Sequence, residues 1–285
     1  MKKFFITLLC FVAMLAAAAQ NKAEIAVGYD YSHPDKFGSV RTQRMTLLAS
    51  PAQAKFFNDI SLWVDSLKST PGGEAKYNEI LQKSCMTIEP DGSISLDMTK
   101  GPAKKVHTYV FTDPAAGALT VFDKFGDDFG RYSEPLDEME WIVVGDSVAT
   151  VMDYQCVMAR TDYHGRQWTA WFAPEIPMPY GPWKLHGLPG LILKAEADGG
   201  FTFTATGIEL SDRLISPMYM QENYSPVERR QALGNAEYFT NNEESIRQAE
   251  GIAVKIVAYD DDGNEIEVPK YDGLRHSLEP DYKTR

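Results

Sequence analysis

From His107 to Ala205 the chain is a succession of short runs in which apolar residues alternate, each stopped by a turn. That texture restricts the fold more than any other feature. A period of two puts alternate side chains on opposite faces of a strand, and short strands joined by tight turns pair as antiparallel neighbours. His107, Tyr109 and Phe111 alternate up to Asp113-Pro114, and Leu119 and Val121 lead into Phe122. Trp141 to Val144 stops at Gly145-Asp146-Ser147. Val151 to Arg160 carries Tyr154, Cys156 and Met158 on one side, and Tyr163-His164-Gly165-Arg166 turns the chain into Gln167 to Phe172. Pro174, Pro177, Pro179 and Pro182 then predict an extended loop, because proline cannot donate to a sheet ladder. Leu191 to Glu196 and Phe201 to Ala205 form a hairpin about Asp198-Gly199-Gly200, with Phe201, Phe203 and Ala205 inward and Thr202, Thr204 and Thr206 outward.

Ahead of this region Glu24 to Tyr31 and Arg44 to Leu48 read as strands. Ser50-Pro51-Ala52-Gln53 resembles a capped helix start, placing Phe56, Ile60, Trp63 and Leu67 on one face of the helix that follows. A second helix is expected over Glu74 to Cys85, and Pro90-Asp91-Gly92 marks a turn. Past Leu210 the chain becomes polar. Helices are expected from Ser225 to Leu233 and from Glu243 to Ala249, then a hairpin between Ile252–Tyr259 and Glu265–Val268, and a loose tail after Gly273. No linker divides the chain, so a single domain is expected over residues 20–285.

Residues 1–19 read as a secretory signal peptide: Met1-Lys2-Lys3, an apolar run from Phe4 to Leu15, then small residues before Gln20. The run is shorter than the ~20 residues that span a bilayer. Export to the periplasm or the cell surface is therefore expected, with no transmembrane segment after cleavage. Without Lys2 and Lys3 the chain carries 26 basic and 40 acidic residues, a net charge of −14. Such a surface repels phosphate backbones and excludes nucleic acid as a partner. Cys85 and Cys156 survive cleavage. In an oxidising compartment such a pair invites a disulfide, and buried free thiols are the alternative.

In His186-Gly187-Leu188-Pro189-Gly190-Leu191-Ile192 the glycines admit positive φ, and Pro189 fixes its own φ and extends Leu188. The segment predicts a tight turn that delivers a buried strand. It resembles, nearly letter for letter, the signature of the GLPGLI family of exported proteins of Gram-negative bacteria. Tyr154-Gln155-Cys156, Gly165-Arg166, Ala170-Trp171-Phe172, Pro174-Glu175-Ile176-Pro177 and Gly181-Pro182-Trp183-Lys184 are similar to that family's pattern as well. The likeness covers roughly residues 25–210, leaving 211–285 as a C-terminal extension. It implies a β-rich α+β fold, a strongly curved, half-barrel-like antiparallel sheet with a few short helices packed on it. It implies no activity, catalytic residue or cofactor.

Chemistry candidates are weaker than their structural alternatives. His186 offers an imidazole, the side-chain type suited to acid–base or ligand roles, but has no paired histidine or HExxH spacing. Cys156 could be a nucleophile with His164 or His186 as base, although its alternation with Tyr154 and Met158 points to a packed strand face. Cys156, Met152, Met158, Met218 and Met220 with the histidines could form a soft site for Cu(I), Met218 and Met220 sharing one side of a strand. Asp260, Asp262 and Asn264 resemble the start of a calcium loop but lack the distal glutamate. Glu134, Glu138, Glu140 and Glu175 lie near Trp141 and Trp171, a mixture found in sugar clefts. The leading expectation is a non-enzymatic envelope protein that binds an apolar ligand or a protein partner on an aromatic face of Trp168, Trp171, Phe172, Trp183 and Leu188, beside His186. The competing expectation is a periplasmic metal protein or a hydrolase using His186 or Cys156.

Overall fold

The computed structural model describes residues 22–284 apart from 91–92, 98–99, 137–138, 217 and 260–262. The signal-peptide reading, the turn at Asp91-Gly92, Glu138, Asp260 and Asp262 lie outside the described residues. The chain opens with β1 (Ile25–Pro34), β2 (Val40–Ala49) and β3 (Ala54–Phe57), then α1 (Asp59–Lys68), α2 (Gly73–Cys85), β4 (Met86–Ile88) and β5 (Ile94–Leu96). The strands β6 (Tyr109–Asp113), β7 (Ala118–Phe125), β8 (Asp128–Pro135), β9 (Ile142–Val151), β10 (Tyr154–Tyr163), β11 (Arg166–Ala173), β12 (Leu191–Ala197) and β13 (Phe201–Leu210) follow. The C-terminal part holds β14 (Ser225–Pro226), α3 (Arg229–Ala249), β15 (Ala258–Tyr259), β16 (Glu265–Ile266) and α4 (Gly273–His276). No helix among the described residues is long and apolar enough to cross a membrane.

Twelve strands form one open sheet in the order β14-β8-β7-β6-β3-β2-β1-β13-β12-β11-β10-β9. Every pairing in it is antiparallel except β14 beside β8. Nine interstrand steps separate β8 from β10, which in a flat sheet would be roughly 40 Å at ~4.8 Å per step. Yet His164, one residue beyond β10, lies 3.4 Å from Glu134 of β8. The sheet therefore curls until its two halves face each other, as a half-barrel does. Register shifts at Gly28/Tyr29, Val157/Met158 and Trp171/Phe172 bend the strands where they occur.

Alternation sorts the side chains. Val27 and Tyr29 of β1, Leu47 of β2, Phe56 of β3, Val121 of β7, Trp168 of β11 and Phe203 of β13 join the large core on the concave face. Ala26, Leu48, Phe57, Tyr109 and Phe122 project oppositely and make a second core with Ile215, Met218 and Tyr224. The hairpin of β12 and β13 has the expected inward Phe201, Phe203 and Ala205.

Three expectations are corrected. Ala54 to Phe57 is not a first helical turn but a fully buried strand hydrogen-bonded to β2 and β6. Ser50 and Gln53 close a turn before it, and the helix starts at Asp59, where Asn58 Oδ1 accepts from the Ser61 amide at 3.0 Å. Its buried face holds Ser61, Val64 and Asp65, leaving Ile60 and Trp63 exposed. The two short helices expected past residue 225 are one, α3, capped by the Glu228 carboxylate on the amides of Arg230 and Gln231. The tail after Gly273 is packed: Ser277, Glu279 and Pro280 are buried.

Candidate functional site

The chain between β11 and β12 folds back over the concave face. Gly187 N–H donates to Pro179 O at 2.9 Å, Leu191 N–H to Ile176 O at 2.9 Å and Ile192 N–H to Tyr180 O at 3.0 Å. Gly187 takes φ +91° and Gly190 φ +158°. A Cβ on Gly190 would sit 2.3 Å from Ala173 O, so only glycine lets the loop pass this close to the end of β11. These contacts turn Met178, Tyr180, Trp183, Leu185 and Leu188 inward as a plug.

The aromatic residues singled out from the sequence are consequently not an exposed surface. Trp168 is 1% exposed, Phe172 3%, Trp183 6% and Leu188 1%. Trp168 stacks on Trp183 at 5.6 Å and on Phe203 at 6.2 Å, and Phe203 stacks on Tyr31 at 4.5 Å. Trp171, three residues from Trp168, faces the other side of the sheet, where Lys194 Nζ lies 4.7 Å from its ring centre. His186 is buried too, its Nδ1 2.8 Å from Lys184 O while its own carbonyl accepts from Trp141 Nε1 at 2.8 Å.

The aromatic stack nevertheless borders open space. A chamber of about 190 Å³ lies on the concave face, walled by Tyr31, Phe56, Val121, Trp183 and Phe203. Leu233 of α3 and the C-terminal residues Tyr271, His276, Ser277, Leu278 and Glu279 close it. Asp123 is the acidic group from the sheet side. Burial pushes its carboxyl up to about 6, outweighing hydrogen bonds from the Thr108 hydroxyl at 2.6 Å and the Lys124 amide at 2.7 Å.

Two grips hold the closing segment. The buried Arg166 guanidinium donates to the carbonyls of Leu274 at 3.0 Å, Arg275 at 3.1 Å and Ser277 at 2.7 Å. Lys184 Nζ, with no exposed side-chain surface, lies 2.6 Å from Glu134 and 2.9 Å from Glu279. Arg229 of α3 completes the cluster, reaching Glu134 at 3.1 Å, Glu279 at 2.5 Å and also Asp281. His164 Nδ1 is 3.3 Å from Asp281. Burial works against ionisation of Glu134, His164, Arg229 and Asp281, but the opposite charges prevail. Glu134 falls to about 2 beside His164 and Lys184, Asp281 is held well below the usual range by His164 and Arg229, and His164 is raised by Asp281 and Glu134. With His164 protonated, three cations balance three carboxylates. An open cleft of about 930 Å³ exposes part of this cluster, with Tyr163, Glu140, Asp162 and Glu228 on its walls.

Glu134, His164 and Glu279 are the only three described His, Cys, Asp or Glu side chains whose donor atoms converge within 4.8 Å. Their centre is already served by Lys184 Nζ, so a metal ion there would have to displace a buried ammonium. The soft ligands are dispersed: Cys156 sits in the concave core, Met218 in the second core, and Met218 to Met220 is a turn rather than a strand. Burial pushes the Cys156 thiol up, the reverse of nucleophile activation, and its Sγ faces Tyr154 O at 3.7 Å. Cys85 and Cys156 are not bridged; both are buried free thiols, Cys85 closing α2 and Cys156 on β10. Of the acids named from sequence, Glu134 enters the cluster, Glu140 only lines the cleft, and Glu175 is exposed elsewhere. Arg229, Glu279 and Asp281 escaped the sequence reading, and Arg166 and Lys184 entered it only as residues of the family-like pattern, because the five come from segments up to 115 positions apart with no shared spacing.

Comparison with known proteins adds little chemistry. A family described as a protein of unknown function (Porph_ging) matches residues 158–194, the segment from mid-β10 through the plug to β12. No curated protein matches. Two solved structures of PNGF-II, in space groups C2 and P21, are similar at 12% identity and TM-score 0.48, covering 76% and 75% of this chain. The chain spans a third of their length, 33%.

Proposed function

We propose that this is an exported, non-enzymatic protein of the cell envelope, of the GLPGLI kind, that holds a small apolar group in the chamber on its concave face. The observation that carries this reading is the chamber itself, about 190 Å³, walled by Tyr31, Trp183 and Phe203 and closed by a clamped C-terminal segment. A space of ~150 Å³ is enough to admit benzene or xenon, so one ring or the end of a short alkyl chain is the occupant that fits against the aromatic wall. The neighbouring charges favour binding over turnover. Each ionised group of the cluster is paired, and neither Glu134 nor Asp281 is raised as a proton donor for hydrolysis would be.

Bromobenzene, a heavy-atom quencher, tests this by its effect on the tryptophan fluorescence of the mature protein. Saturable quenching is expected, and it should be lost in Val121→Phe, which fills the chamber. Quenching that stays linear with concentration, or is unchanged in V121F, contradicts the reading.

A further inference from the structure

The chamber on the concave face is not apolar all round. Asp123 stands between Val121 and Phe125 on the inward side of β7, and both of these neighbours belong to the concave core. Its strand is covered on both edges, by β6 and β8. Asp123 is nevertheless only half-buried, so what stays accessible is its side chain, in the wall of the chamber. One oxygen accepts from the Thr108 hydroxyl and the other from the Lys124 amide. A carboxylate has about four acceptor sites, so both oxygens keep capacity for a donor inside the chamber.

The charged groups around Asp123 are committed elsewhere. Lys104, whose charge acts on it, is held by Asp65 at 2.6 and 2.9 Å. Lys124 turns to Asp127 at 3.0 Å. From the closing segment, Glu279 is paired with Lys184 and Arg229. His276 Nδ1 accepts from the Asp272 amide, which leaves the ring proton on Nε2 and the ring neutral. Arg166 is spent on the carbonyls of Leu274, Arg275 and Ser277. Burial raises the phenols of Tyr31, Tyr132, Tyr224 and Tyr271 and keeps them neutral. The Asp123 carboxylate therefore has no counter-ion among the described residues.

Such a group selects its ligand. It can only accept, so the ligand must donate. A cationic donor is favoured over a neutral one, because it supplies the charge that the buried carboxylate lacks. A metal ion needs several ligands, and Asp123 belongs to no converging set of three His, Cys, Asp or Glu donors among the described residues. An ammonium group needs the carboxylate alone, and aromatic walls attract a cation where aliphatic ones do not. On the reading of the chamber as the ligand site, we infer that its ligand is a small arylalkyl amine, with the ring against Tyr31, Trp183 and Phe203 and the ammonium on Asp123. About 190 Å³ holds one ring and a short linker, which makes benzylamine the probe.

The test is calorimetric titration of residues 20–285 with benzylamine and with toluene, which has the same ring and no charge. Benzylamine stays protonated across the range used, as a lysine does. It should bind roughly tenfold tighter at about pH 7 than at about pH 5, as Asp123 passes from about a tenth to about nine-tenths ionised around its value of about 6. Toluene, an apolar occupant, should show the reverse trend. At about pH 6 benzylamine should release protons on binding and toluene should take them up, read from the heats in two buffers. Asp123→Asn should remove the preference for benzylamine and its pH dependence. If D123N does not fold, a crystal soaked in 4-bromobenzylamine should place the nitrogen within hydrogen-bond distance of Asp123. Toluene binding without benzylamine binding, a benzylamine affinity that is flat in pH, or a bound amine turned away from Asp123 would overturn the amine and leave an apolar site. Failure of both ligands to bind would overturn the chamber as a ligand site as well.

Discussion

Lys184 shows how much one side chain can be asked to hold. Its ammonium is wholly buried, ties β8 to the C-terminal segment, and lies 4.9 Å from the Tyr132 ring. Removing one partner of a buried ion pair leaves the others uncompensated, at a cost of ~3–5 kcal/mol. Lys184→Met should therefore lower the urea-unfolding free energy by about that much, whereas Lys194→Met, on the outer face, should change it by less than ~1 kcal/mol. The glycines of the plug separate two physical demands. Gly187→Ala meets only an ordinary contact, Trp141 Nε1 at 3.9 Å, and pays only for its φ, ~1 kcal/mol, while Gly190→Ala adds a collision with Ala173 O and should cost roughly 3 kcal/mol. Equal losses for the two variants would mean that the close approach at Gly190 is not made.

Among the elements, β6, β7, β10, β11, β12 and β13 follow from alternation because each has one face in a core, whereas β9 does not stop at Gly145-Asp146-Ser147 as expected but runs through it to Val151, with Ile142, Val143 and Val148 exposed. β3 breaks the rule for a reason. With neighbours on both edges and cores on both faces, all four of its residues are buried, so its period vanishes and the apolar run imitates a helix. The true cap, Asn58, bonds the Ser61 amide and the Arg44 carbonyl, the latter at 2.7 Å; Asn58→Ala should cost ~1 kcal/mol by denaturant titration. The aromatic face was legible as a cluster but not in its direction. The loop fold-back that buries Trp183 and Leu188 depends on hydrogen bonds between residues 176–180 and 187–192, which no periodicity announces. The C-terminal segment was least legible. Its polar residues read as a loose tail because their partners, Arg166, Lys184 and Arg229, belong to distant parts of the chain. Truncation after residue 276 should uncover the chamber, raising binding of a fluorescent apolar dye and lowering the unfolding midpoint. A chain that keeps both properties without residues 277–285 would refute the role of that segment as a closure.

At the scale of the whole molecule, the curled sheet, the plug and the C-terminal segment make a partly enclosed chamber whose polarity depends on pH. The folded state holds the His164 proton more tightly than the unfolded chain. Its contribution is thus complete below its ordinary value of about 6.5 and is lost as pH rises through the raised value. Wild-type protein should lose stability over that rise, and His164→Gln should lose less. Asp123 acts in the chamber itself: below about 6 it is protonated and the carboxylate left on the walls, Glu279, is paired with Lys184 and Arg229, whereas above it an unpaired buried carboxylate opposes an apolar occupant. Ligand affinity should fall as pH rises through about 6, and Asp123→Asn should abolish the dependence. The most direct measurement is a crystal of residues 20–285 pressurised with xenon. A xenon atom is expected in the chamber beside Trp183 and Phe203, and none in Val121→Phe. A chamber holding only ordered water bonded to Asp123, with xenon excluded at every pressure, would contradict it.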